Sequence, residues 1–503
     1  MPVPSCPCKA IVVLMRKPFP MFGFRQGNLL LHPNRPIWDG GAKGYGMWGV
    51  LLAAGEGRKF WPFADVRNKC AFPIGTVPMV RRMAEQLVAA GASRLVAVIG
   101  VGGGSVRAAL AGLACPVEFL EQPAPRGSAE ALARALPLIG SDPCVVAYGD
   151  VVADAETVAA VWRATRGGET PAVAAVAELH AERPGDWITC DVRDGALGGL
   201  QGHGRGGAYR LGGIFGLQSV AYPYVIANPG VMTHVPVGGM PALEAELAES
   251  LARMVDDDLP IQAVLPTGFL ADVDKPWHIL QATTALLTDR SRRLGRNEIA
   301  DGARVADSAE ISGQVVLEPG AVIGERCVIR GDAWIGRGAS VTNGSILQGR
   351  VLLGENARVR DYALVSGNTV LGPQSICGHG AEFDGVLLEG SYLYHYCEIY
   401  GVLGARVDIG AATVCGTLRF DDSQTTHRIG GRPEQPGNGA NASFLGDYSR
   451  TGVNAILMPG VKVGAYSCVG AGVILYDDLP SRQLVLARQE LVHRPWGPER
   501  YGW

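Results

Sequence analysis

The chain has 503 residues, a formal net charge of −3 and eleven cysteines; one hydrophobic core rarely serves that length, so two large domains are expected. Its basic residues are scattered rather than run together, which argues against nucleic acid as a partner and for small ligands. Solitary cysteines without a secretory pattern fit reduced thiols in a cytoplasm better than a disulfide framework.

Residues 1–46 are rich in Pro, Gly and Arg and hold no sustained period, so they read as a flexible extension before Met47. Their apolar run AIVVLM is too short to cross a bilayer, and no membrane segment is expected. The Cys6–Cys8 pair is too isolated for a metal site. From 47 to 290, short apolar runs alternate with helix-length segments: VLLAAG, the helical VRRMAEQLVAAG, LVAVIG, a helix to Gly112, VEFLEQ, the helical ARALPLI, then CVVAYGD. Strand and helix in alternation predict an α/β domain with a Rossmann-like, mostly parallel sheet. Ligands of such sheets sit at the carboxyl ends of the strands, where GVLLAAGEG and VVAYGD both finish.

From 291 to 480 the period changes. An aliphatic or small residue recurs at every sixth position from Ile299, Val305 and Ile311 through Cys377 to Phe383, resumes at Leu403 and Ile409, and returns from Leu445 to Val469. That spacing predicts a left-handed parallel β-helix whose short strands each point one apolar residue inward. Two gaps break the phase: Gly385 to Val402, which is rich in aromatics and histidine, and 418–443, an aperiodic loop leaving the solenoid. Residues 481–503 read as a C-terminal tail. The flat faces of a β-helix suit self-association, so a homo-oligomer is expected, with a trimer as one form.

The chemistry concentrates in LLAAGEGRKFWPFADVRNKCAFP. A glycine turn after a strand opens backbone N–H groups to an anion, and Lys59 and Lys69 add charge. Taken singly, either lysine reads as a solvated surface residue, Asp150 as a helix N-cap and Asp272 as a turn residue.

Taken together, this run, LEQPAPRGSAEAL, VVAYGD and FLADVDKPWHILQAT follow in the order of the sugar-1-phosphate nucleotidyltransferases, which the domain resembles. The resemblance implies Lys59 at the position of a catalytic arginine and Lys69 as a phosphate ligand. It implies Ala53, Gly55, Gly57, Gln122, Gly127 and Ser128 around the nucleotide, and Gly213 on the sugar side. Asp150 and Asp272 would hold Mg²⁺. Lysine for arginine keeps the charge but loses the planar two-point grip on phosphate. The implied reaction is attack of a 1-phosphate oxygen on the α-phosphorus of a nucleoside triphosphate, with loss of pyrophosphate. The acidic clamp expected before LGGIFGL is replaced by GGLQGHGRGGAYR, which admits a modified sugar or a cyclitol phosphate.

The solenoid is similar to that of the bifunctional nucleotidyltransferase–acetyltransferases, in which His395 would fall on the base for acetyl transfer from acetyl-CoA. Thr417 replaces an expected Asn and the lysines of the following loop are absent, leaving His427, Arg428 and Arg432. A structural histidine among Tyr392, Tyr394 and Tyr396 is the other reading of His395. The expectation is thus a cytoplasmic nucleotidyltransferase; a bifunctional enzyme that also acetylates an amino sugar phosphate, and a silent regulatory or scaffold subunit, are the alternatives.

Overall fold

The computed structural model describes residues 46–179, 187–202, 206–233 and 243–498. The N-terminal extension with Cys6 and Cys8 lies outside the described residues, as do His203, Gly204 and Arg205 of the stretch read for a sugar clamp.

The first strand, Trp48–Ala53, is buried along its whole length, as a run apolar on both faces requires in a covered parallel sheet. It pairs in parallel with Arg94–Ile99 on one side and Cys144–Tyr148 on the other. Val117–Glu121 extends the first side in parallel. Antiparallel Tyr209–Leu217 continues the second toward Ala172–Glu178, with Ile261–Val264, Ala196–Gln201 and Thr189–Arg193 beyond. The chain therefore runs outward from Trp48–Ala53 in one direction and returns on the other side. That reversal opens a crevice at the carboxyl ends of Trp48–Ala53 and Cys144–Tyr148, the place where such sheets take ligands. A short antiparallel ribbon sets Asp272 opposite Val151, and Val273 N–H donates to the Asp150 carbonyl at 3.1 Å, so Asp150 and Asp272 share the crevice.

The second region is a stack of parallel β coils. Register partners lie eighteen residues apart in the early coils, Leu317 on Ile335 and Leu353 on Leu371. Most of the six-residue phase is buried inside, from Leu317 through Phe383. Its first members are not: Ile299 is 55% exposed and Val305 36%, because the first coil has a neighbour on one side only. The expected gap from Gly385 to Val402 is not a gap. Leu371 pairs with Leu387 and Leu387 with Leu403, sixteen apart, because Glu382–Leu387 and Glu398–Leu403 run as continuous strands. Losing two residues per coil breaks the sixfold phase without breaking the stack. The segment expected at 418–443 does leave the stack, since Leu403 pairs directly with Leu445, but its last residue, Ser443, is already back in the ladder opposite Gly401. Coils continue to Leu484–Val485, inside the stretch read as a tail.

One face of the solenoid carries apolar doublets: Leu352-Leu353, Val370-Leu371, Val386-Leu387, Val402-Leu403 and Phe444-Leu445. The second member of each lies in the solenoid interior. The first points outward, as strand alternation demands, and is buried in a cluster with Phe60, Phe63, Phe72, Trp277, Ile279 and Leu286 of the first region. Helix His278–Arg293 packs on these strands. An Arg67–Asp447 ion pair adds a polar tie. Both regions belong to one compact unit, Tyr45 to Trp503.

Candidate active site

The crevice is organised by Asn68. Its side-chain amide donates to the carbonyls of Gly55 at 3.1 Å and Val101 at 3.0 Å, while its side-chain oxygen accepts from Cys70 N–H at 2.9 Å. One buried residue thus ties the glycine loop to the next crossover and sets the start of the short helix Lys69–Ala71. Gly57 has φ +66° and backs onto Lys69, whose Cβ would sit 3.1 Å from any Cβ placed there. Gly55 faces open space, as an anion cradle needs.

Lys69 is buried, and its Nζ lies 2.6 Å from Asp150 Oδ2 and 3.2 Å from Asp274 Oδ1. The more exposed Lys59 Nζ reaches Asp274 Oδ2 at 3.2 Å. Burial alone would lower the Lys69 pKa, but the carboxylates of Asp150, Asp274 and Asp272 reverse this and hold it well above the usual lysine value. Asp274 is opposed by burial, yet Lys69 and Lys59 keep it well below the usual carboxylate range. Asp272 goes the other way: burial, then the charge of Asp150, push it up to about 7 against the pull of Lys69. Its buried Oδ1 has no hydrogen-bond partner among the described residues. His278, stacked on Trp187, is held neutral by burial, with its pKa lowered to about 3; its Nδ1 accepts from Asp274 N–H at 3.1 Å, so the ring proton sits on Nε2.

A second group lies at the start of helix Ser128–Ile139. Buried Gln122 donates through Nε2 to the Gly127 carbonyl at 3.1 Å and to Glu130. Ser128 Oγ donates to Glu246 and accepts from Tyr148 O–H at 3.0 Å and Leu247 N–H at 2.8 Å. Gly127 has φ +103°, and a Cβ there would fall 2.4 Å from the Ala245 carbonyl oxygen. Its glycine is therefore demanded first by the Ala245–Leu247 segment. Gly213, φ +71°, lies under the Tyr148 ring at the register shift of its strand. Ala53 is the buried last residue of its strand.

Lys59, Lys69, Asp150 and Asp272 are brought together as one charged cluster. Gln122, Gly127 and Ser128 form a neighbouring one, and Tyr148 bridges Ser128 and Gly213. His395 lies apart in the solenoid, at a turn with φ +59°, with its Nδ1 2.5 Å from His379 Nδ1. Sequence reasoning passed over Asp274, Asn68, Glu130 and Glu246. Asp274 alone carried a signal, since D-V-D puts Asp272 and Asp274 on one side of an extended chain. Among the described residues no group of three or more His, Cys, Asp and Glu side chains stands in metal-holding geometry, and no helix is long and apolar enough to cross a membrane.

Residues 49–276 match the family model of the MobA-like NTP transferase domain. The first region is a nucleotidyltransferase domain of that kind, followed by a β-helix-like solenoid. Among curated proteins, the chain is 32% identical over 117 residues to the bifunctional protein GlmU of Methanococcus maripaludis strain C7, covering 23% of this chain and 28% of that protein. It is 29% identical over 251 residues to the GlmU of M. maripaludis strain S2, covering 50% and 54%. These matches thus span between about a quarter and about half of the relatives' own length. Among solved structures, a UDP-glucose pyrophosphorylase from Acinetobacter baumannii aligns at 16% identity and a TM-score of 0.40, covering 46% of this chain and 90% of that one.

Proposed function

We propose that the first domain joins a nucleoside triphosphate and a sugar-type 1-phosphate, or a cyclitol 1-phosphate, and releases pyrophosphate. The observation that carries this reading is Lys69, held between Asp150 and Asp274 directly behind the glycine loop. Two anions must be brought together for in-line transfer, and the attacking phosphate oxygen is already a nucleophile, so positioning and charge neutralisation do most of the work. Lys59 and Lys69 neutralise phosphate oxygens, the Gly55–Gly57 backbone offers N–H groups, and Asn68 keeps that loop in register with Lys69. Gln122, Gly127 and Ser128 border the base.

Mg²⁺ suits the remaining groups. Asp150 and Asp272 repel each other and Asp272 Oδ1 has no donor among the described residues, which fits a hard cation that takes one or two carboxylates and completes its shell with phosphate oxygens and water. Bound there, it would supply charge neutralisation at the phosphates. The test incubates the protein with Mg²⁺, a panel of triphosphates and a panel of 1-phosphates and measures pyrophosphate. Asp150→Ala and Lys69→Ala are each expected to abolish nearly all release.

A second reading, acetyl transfer by the solenoid, is favoured by the bifunctional relatives and by the His379–His395 contact. Free thiol from acetyl-CoA with amino sugar phosphates tests it, and activity untouched by His395→Ala removes that residue from the mechanism. For assembly we propose a homo-oligomer through the solenoid. Val328, Ile346 and Leu364 form an outward, half-buried apolar stripe that a second copy would cover, and light scattering measures it.

A further inference from the structure

The segment carrying Asp272 and Asp274 does not stop at the first domain. Lys275, the next residue, is buried, and its Nζ forms an ion pair with Glu434 of the loop that leaves the solenoid. That loop folds into a hairpin, His427–Ile429 against Arg432–Glu434. Trp277 meets the same loop: its ring centroid lies 4.9 Å from that of His427, and a Cβ on Gly439 would come 3.1 Å from Leu280 Cδ1 and 3.6 Å from Trp277 Cβ. The hairpin is itself fixed to the solenoid. His427 Nε2 donates to the Ala440 carbonyl at 2.8 Å, leaving Nδ1 to accept from Lys462 Nζ at 3.0 Å, and Lys462 pairs with Asp478 at 2.9 Å. Thr425 is held by Asn441 and by the Pro459 carbonyl.

We infer that Glu434 and His427, on the solenoid hairpin, are positioning residues for nucleotidyl transfer: they clamp Lys275 and Trp277 and so fix where Asp272 and Asp274 stand relative to Lys59 and Lys69. The inference rests on the proposed nucleotidyl transfer. A buried ion pair is weak support for stability as such, because desolvation offsets its attraction. Its geometric consequence is stronger. Lys275 adjoins Asp274, whose two oxygens hold Lys59 and Lys69 at 3.2 Å each, so a shift of the segment moves both lysines and the Asp150–Asp272 pair together. Gln122 and Ser128 lie on other elements with no contact to the hairpin among those described, so binding of the base is independent of it.

The test is made on the full chain with Glu434→Gln, which keeps the shape and removes the charge, beside Glu434→Asp and the exposed hairpin residue Arg432→Ala as controls. Glu434→Gln is expected to lower kcat at least ~10-fold, since misplacement of reacting groups by about 1 Å costs up to ~100-fold, with a smaller change in KM for the triphosphate, because the base contacts are untouched. Glu434→Asp should regain part of the loss, and Arg432→Ala should match wild type. Hydrogen exchange is read in parallel, and peptides spanning Leu270–His278 should exchange faster in Glu434→Gln. A variant with kcat within twofold of wild type and unchanged exchange in that segment overturns the inference. If the wild type releases no pyrophosphate with any pair of substrates, the proposed function has failed, and the exchange measurement still decides whether the hairpin holds the segment.

Discussion

Replacing Lys69 by methionine keeps most of the side chain's volume and removes its charge from between Asp150 and Asp274. Two effects follow, and they separate. In chelator Asp150 loses Lys69 at 2.6 Å and Asp274 loses it at 3.2 Å; both carboxylates are only partly buried, so the cost lies at the low end of that for breaking a buried pair on one side, about 3 kcal/mol. Urea unfolding without metal should therefore show Lys69→Met less stable by roughly that amount. Mg²⁺ should recover a larger part of stability in the variant than in the wild type, because a cation at Asp150 and Asp272 takes over the neutralisation. Activity is not recovered in the same way. Loss of one aimed contact to transition-state charge costs on the order of 10²–10³ in kcat, about 3–4 kcal/mol, so pyrophosphate release should fall by that factor at saturating Mg²⁺. Lys59→Met is the contrast: its side chain is 59% exposed, so stability should change by less than about 1 kcal/mol while kcat still falls. A Lys69→Met protein with wild-type stability in chelator and kcat within threefold of wild type would refute the reasoning.

His427, facing Lys462 and Asp478, is lowered by burial and then by the Lys462 charge to about 4. A depressed histidine contributes stability above its unfolded pKa of about 6.5 that is lost as pH falls toward 4, on the order of 3 kcal/mol; His427→Gln should remove that part of the slope in unfolding measured from pH 8 to 4. Val402→Asp puts a charge into the apolar interface between the regions and should cost more than about 4 kcal/mol by urea unfolding. Ile474→Asp, on the exposed end of the solenoid, should stay within about 0.5 kcal/mol. Asn68→Ala strips donors from the Gly55 and Val101 carbonyls and should cost roughly 2 kcal/mol, with a raised KM for the triphosphate.

The sequence was most readable where one physical rule acts alone. Strand and helix alternated cleanly from Trp48 to Tyr148, and six-residue spacing marked coils wherever every corner is present. Where strands Glu382–Leu387 and Glu398–Leu403 run straight through, the period slips although the same ladder continues. The interface between the regions was also written in the chain, as the doublets from Leu352-Leu353 to Phe444-Leu445. Counting one inward residue per turn left the outward partner unread. At the site, charged residues in recurring motifs were legible, and residues that act through local hydrogen bonds were not. Asn68 and Glu246 have no distinguishing spacing; their partners at Val101 and Ser128 come from distant elements that only the folded chain brings near. The role of the 418–443 loop was likewise invisible, because Lys275 and Glu434 are far apart in sequence and neither sits in a periodic run.

The measurement that bears most directly on the account is pyrophosphate release from the full chain with Mg²⁺, a panel of nucleoside triphosphates and a panel of sugar and cyclitol 1-phosphates, run beside Asp150→Ala. Release is expected with at least one pair, together with a product of the matching mass and near-complete loss in the variant. Absence of release with every pair, or equal release from Asp150→Ala, would contradict it.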